Sequence, residues 1–101
     1  MYIQKKKIMW INSPSTDVVL HRVYVVEETE TIDPINSTHV DLASPINEYE
    51  MPGVFTIVDG KKKVGVAAID NSGNISNTIE QVFTFDFLEP LAPYNLQLVN
   101  G

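Results

Sequence analysis

The sequence predicts an all-β fold, an antiparallel two-sheet sandwich of about seven strands, and three observations carry that reading. Apolar residues recur mostly at period two, the mark of half-buried strands. Clusters rich in Asn, Ser, Pro, Asp and Gly, at residues 12–17 and 70–74, break the chain into short pieces. No window carries the 3.6-residue apolar spacing of a long amphipathic helix.

Residues 2–11 form the first strand pattern, with Ile8 and Trp10 on one side. Residues 18–28 are dense in β-branched side chains, and Val19, His21, Val23 and Val25 share a face, as in a central strand. Between residues 27 and 52 the pairs Asp33-Pro34, Ser44-Pro45 and Met51-Pro52 interrupt any long strand, so short edge strands are expected, one of them at 38–42. Residues 54–58 read as a further strand. Asp59-Gly60 then signals a turn into a strand at 62–69. Beyond the break at 70–74, Ile79, Gln81, Phe83, Phe85 and Phe87 alternate with more polar neighbours, which places the phenylalanines on the core side of the last long strand. Trp10, Val23, Val66 and Phe85 are therefore expected in one core between two sheets. Residues 1–89 make the sandwich, and 90–101 a linker and an extended C-terminal strand.

A chain of 101 residues has room for one such domain. Seven basic against thirteen acidic residues give a net charge of −6, which argues against nucleic-acid or anionic-membrane partners. The runs Lys5-Lys6-Lys7 and Lys61-Lys62-Lys63 are expected to be solvated strand or turn positions, since lysines protect strand edges from unwanted pairing. There is no cysteine, which excludes disulfides, thiolate nucleophiles and cysteine-based zinc sites. The apolar run Ile8-Met9-Trp10-Ile11 is too short for a signal peptide, and no stretch approaches membrane-spanning length.

No motif assembles a base, a nucleophile and charge-stabilising donors, so a non-enzymatic protein without cofactor is expected. The serines lie in polar turn contexts. His21, on a strand face, reads as a packed residue rather than a base or metal ligand, and His39 has still less context. Glu27, Glu28 and Glu30 read as a solvated acidic edge. The loop Asp70-Asn71-Ser72-Gly73-Asn74 lacks the spacing and closing glutamate of a calcium site, and tight-turn chemistry accounts for the same letters. Asn36-Ser37-Thr38 and Asn74-Ile75-Ser76 match glycosylation acceptors but have no secretory signal to give them meaning. Tyr2, Tyr49 and Tyr94 could stack on a sugar, although nothing else supports carbohydrate.

Three segments together resemble bacterial and phage fibronectin type III modules. Ile8-Met9-Trp10-Ile11 with Ser13-Pro14-Ser15 is similar to that family's tryptophan-bearing second strand and the loop after it. Leu20-His21-Arg22-Val23-Tyr24-Val25 is similar to the third strand, and the stretch from Val64 to Ser76 to the sixth strand with its hairpin. The resemblance implies a Greek-key sandwich. Two positions depart from the pattern, because His21 and Lys62 stand where the family has a core tyrosine and a tyrosine-corner residue.

The family's first strand is shortened or missing at the N-terminus, while Ala92-Pro93-Tyr94-Asn95-Leu96-Gln97-Leu98-Val99 looks like the start of a following module. Either the chain belongs to a tandem array, or this tail pairs with a neighbouring copy through Tyr94, Leu96, Leu98 and Val99. A single module beginning at Met1 without an export signal leads to the expectation of a bacteriophage virion component, a head-decoration or tail-associated protein made in the host cytoplasm. Its partners would be itself, a capsid or a tail. The alternative is a binding or spacer module of a larger secreted bacterial protein, one displayed at the cell surface or acting on polysaccharide.

Overall fold

The computed structural model describes residues 6–55, 60–87 and 92–99. These form six strands and no helix: β1 (Lys6–Met9), β2 (Val18–Glu27), β3 (His39–Ala43), β4 (Glu48–Met51), β5 (Gly60–Asp70) and β6 (Ile79–Phe85). All pairings are antiparallel. Among the described residues β1 pairs only with β4, and a four-stranded sheet runs in the order β3-β2-β5-β6.

The small sheet lies on one face of the large one, and the expected core forms between them. Trp10, Val23, Val66 and Phe85 sit in a single buried cluster with Ile8, Met51 and Phe55. Val23 and Val66 face each other directly in the β2–β5 register, so the two longest strands supply the centre of the core. Trp10 is 7% exposed. Its indole N–H donates to Asn12 Oδ1 at 3.0 Å, and Asn12 Nδ2 donates to the Pro45 carbonyl at 2.8 Å, which ties the end of β1 to the β3–β4 turn.

Three expectations are corrected. Val19 does not share the face of His21 and Val23, because a bulge between Val18 and Leu20 leaves it as the extra residue and turns it outward. The strand expected at 54–58 begins instead as a turn at Val54 and Phe55, and residues 56–58 lie outside the described ones. The partner of β1 is Glu48–Met51. Gly53, at φ 55°, sits under the Tyr49 ring, where a Cβ would lie 2.0 Å from the hydroxyl that accepts the Val54 N–H. Lys61, Lys62 and Lys63 are on β5 in the middle of the large sheet, not on an edge. Lys62 pairs with Glu27 across the ladder and Lys63 Nζ donates to the Glu30 carbonyl, so the acidic edge is partly neutralised by this run. Six strands are formed among the described residues, and 92–99 pair with none of them.

The connection between β2 and β3 crosses the outer face of the large sheet. Ile32 packs with Tyr24, Val26 and Ala67 in a second cluster. It does so over Gly65, where a Cβ would come within 2.5 Å of Ile32 Cδ1. Asp33 accepts the Ile35 and Asn36 N–H groups, the Tyr24 hydroxyl and Arg22 Nη1 donate to the Pro34 carbonyl, and Arg22 forms a bidentate pair with Asp41.

Replacing Trp10 with Ala is expected to cost about 3–5 kcal/mol, the range for emptying a buried aromatic site. Urea unfolding of Trp10→Ala measures this. A variant as stable as the wild type would contradict the packing described.

Candidate functional site

The two histidines are engaged in packing and local hydrogen bonds. His21 is 2% exposed, beside the Trp10 ring at 6.1 Å. The Ser13 N–H donates to His21 Nε2 at 3.3 Å, so the ring proton sits on Nδ1, which is buried with no partner. Burial pushes the His21 pKa below its ordinary value. His39 Nδ1 is 2.7 Å from the Ser37 carbonyl at the base of β3.

The 70–74 loop is a turn held by one carboxylate. Asp70 Oδ1 accepts the Ser72 and Asn74 N–H groups, and Oδ2 accepts Asn74 Nδ2 at 2.9 Å. These hydrogen bonds, the Asn74 side chain foremost, hold the Asp70 pKa below the usual carboxylate range. Among the described residues no three His, Asp or Glu side chains cluster as a metal site. A hollow of about 490 Å³ at the end of β2 is lined by Glu27, Glu30, Asp33, Asn36 and Lys62. Glu27 in it pairs with Lys62, Glu30 accepts the Glu27 N–H, and Asp33 caps its own turn, so its charges are engaged internally. Tyr49 is half-buried and packs edge-on against Phe55, and Tyr2 lies outside the described residues.

The sequence-derived interface residues are among the most exposed apolar groups of the described residues. Tyr94 is 86%, Leu96 103%, Leu98 100% and Val99 75% exposed. The extended run is broken once, at Asn95, whose φ of 59° lies in the left-handed region that Asn tolerates. Leu96–Val99 is the stretch beyond this position, with no further residue in the left-handed region.

The structure adds a second surface, which sequence reasoning missed. Strands lie about 4.8 Å apart, so a sheet of two strands leaves about two strand widths of a four-stranded sheet without a cover. The shortfall falls at the start of β6. Ile79 has the same phase as Phe83 and Phe85 yet is 63% exposed. Beside it lies a cleft of about 130 Å³ bounded by Ile8, Met9 and Trp10 of the β1 segment and by Val66, Ile79 and Phe83 of the large sheet. The rim of this cleft is the open edge of β1. Trp10 N–H donates to the Asn47 carbonyl, continuing the β1–β4 register, so by alternation Ile8 and Lys6 also bond toward β4. The backbone groups of Lys7 and Met9 face the other way, along an edge that no described strand occupies. The signal was present in the exposed phase of Ile79, but reading it requires knowing that nothing lies above.

Two expectations follow. The unfolded chain protonates its histidine near pH 6.5 while the folded chain holds His21 neutral to lower pH, so stability falls as pH drops from about 6.5 toward the folded value. Asp33, Asp41 and Asp70, all held low, act only below the carboxylate range. The melting temperature should therefore decline between pH 7 and pH 5, and His21→Phe should flatten that slope. An unchanged slope would contradict the assignment. Calcium should produce no saturable heat on calorimetric titration, because the Asp70 oxygens are engaged by the turn. Heat lost in Asp70→Ala would overturn this.

No family model, curated protein or solved structure matches this chain, so the geometry of its own residues carries the functional reading.

Proposed function

We propose that this protein is a non-catalytic structural module that works through protein–protein contacts, as a virion component of the head-decoration or tail-associated kind. The observation that carries the reading is the C-terminal segment, where four apolar side chains stand in solvent on a stretch without a single charge. An apolar segment of this kind marks an interaction site rather than a solvated terminus. The sandwich behind it acts as a rigid base, with an ordered core on one face of the large sheet and a second cluster on the other.

The strand pairing supports the fibronectin type III reading of that base, in its Greek-key form. If β1 is the family's second strand and β2 and β5 its third and sixth, then second pairs with fifth, third with sixth, and sixth with seventh, as in immunoglobulin-like sandwiches. The first strand is the member without a counterpart.

Particles from the native host, fractionated by sedimentation and analysed by mass spectrometry, test the function. The full chain is expected in the particle fraction. A chain ending at Pro90 should fold, with an unchanged circular dichroism spectrum, and remain unassembled. A truncated chain that enters particles normally would overturn the proposal.

A further inference from the structure

The tail and the open edge of β1 are complementary, and their relation within one chain is geometrically restricted. The start of β6 lies at the Trp10 end of β1, since Ile79 lines hollows with Trp10, so β6 runs opposite to β1. A strand antiparallel to β1 must enter at that same Trp10 end. From Phe87 the chain would have to return over the eight residue steps back to Ile79 at the start of β6, about 26 Å at 3.3 Å each. The nine residue steps from Phe87 to Leu96 span at most about 32 Å, so the return would need a connection extended almost to its limit. The tail does not take that position on its own β1: Leu96 and Leu98 stand fully exposed, and 92–99 pair with no described strand.

We infer that Leu96–Val99 of one copy adds as an antiparallel strand to the Lys7–Met9 edge of a second copy, completing its two-stranded sheet. This deepens the assembly reading above and rests on it by naming the partner as a second copy of this chain. Four observations carry it. Leu96–Val99 and β1 are both four residues long. The backbone groups of Lys7 and Met9, on an edge that no described strand occupies, offer the ladder, and main-chain hydrogen bonds to such an edge are a general means of peptide capture. Leu96 and Leu98 alternate with Gln97 and Val99, so one face of the added strand presents two leucines to the cleft that exposes Ile79, while the other lies beside exposed Met9. Pro93, which has no N–H, stands ahead of the paired residues, where the ladder does not need it.

The contact joins two different surfaces. Each copy is donor at one place and acceptor at another, so the assembly grows head to tail and ends as a ring or a filament unless a pair exchanges tails.

Sedimentation velocity on the purified chain, on a donor variant (Leu96→Asp with Leu98→Asp) and on an acceptor variant (Ile79→Asp) tests this. All three substitutions are at exposed positions, and a dispersed NMR spectrum verifies that each variant folds. The wild type should associate progressively with concentration. Each variant alone should be monomeric, and an equimolar mixture should form a one-to-one heterodimer and stop there, because only one donor and one acceptor remain. A peptide of residues 92–99 added to the chain ending at Pro90 should shift the Met9 and Ile79 amides. A wild type that stays monomeric, a donor variant that still associates, or a mixture that stays monomeric would overturn the inference. If that happens while the chain ending at Pro90 is still lost from particles, the tail binds a different protein and the assembly reading stands.

Discussion

The structure depends on an imbalance between its two sheets. Four strands present an apolar inner face, and two strands cannot cover it. Where cover exists, over Val23, Val66 and Phe85, burial is nearly complete. Where it ends, at the start of β6, a residue of the same phase is left in solvent. The same imbalance leaves β1 with one edge paired and the other without a described strand beside it, and an open edge is a template for another strand. The C-terminal segment is the counterpart in composition, being apolar, uncharged and unpaired. Each surface alone is a liability in water, and together they describe one contact.

The large sheet shows what full satisfaction looks like. On its outer face, where a second layer is also lacking, the chain supplies its own cover through the loop from β2 to β3. Ile32 lies over Gly65, Arg22 and Tyr24 anchor the Pro34 carbonyl, and Asp33 caps the turn. The inner face beside β1 has no equivalent loop among the described residues. His21 belongs to the covered part. Its neutral ring fills the space between Trp10 and the start of β2 and accepts one hydrogen bond, which suits packing and leaves it no proton-transfer partner.

Much of the core was legible from residue phase alone, because Trp10, Val23, Val66 and Phe85 follow strict alternation within long strands. What escaped was decided by non-local pairing. The bulge at Val19 shifts phase by one residue without any glycine to announce it. β4, with the sequence Glu-Tyr-Glu-Met, is a strand because β1 pairs with it, not because its residues favour one. The lysines of β5 resemble an edge, yet their aliphatic stems and ion pairs allow them to occupy a central strand. The tail was legible as an interaction segment from its alternation, but its bend at Asn95 was not. The acceptor surface was invisible in the sequence, since an open edge is defined by the strand that is missing.

The central claim is that the open edge of β1 is occupied by the tail of another copy, and amide hydrogen exchange at Met9 reads that edge directly. In the full chain the Met9 amide should exchange more slowly than in a chain ending at Pro90, and its protection should fade on dilution as copies separate. Equal Met9 exchange in the two chains would contradict the account, as would protection that does not change with concentration.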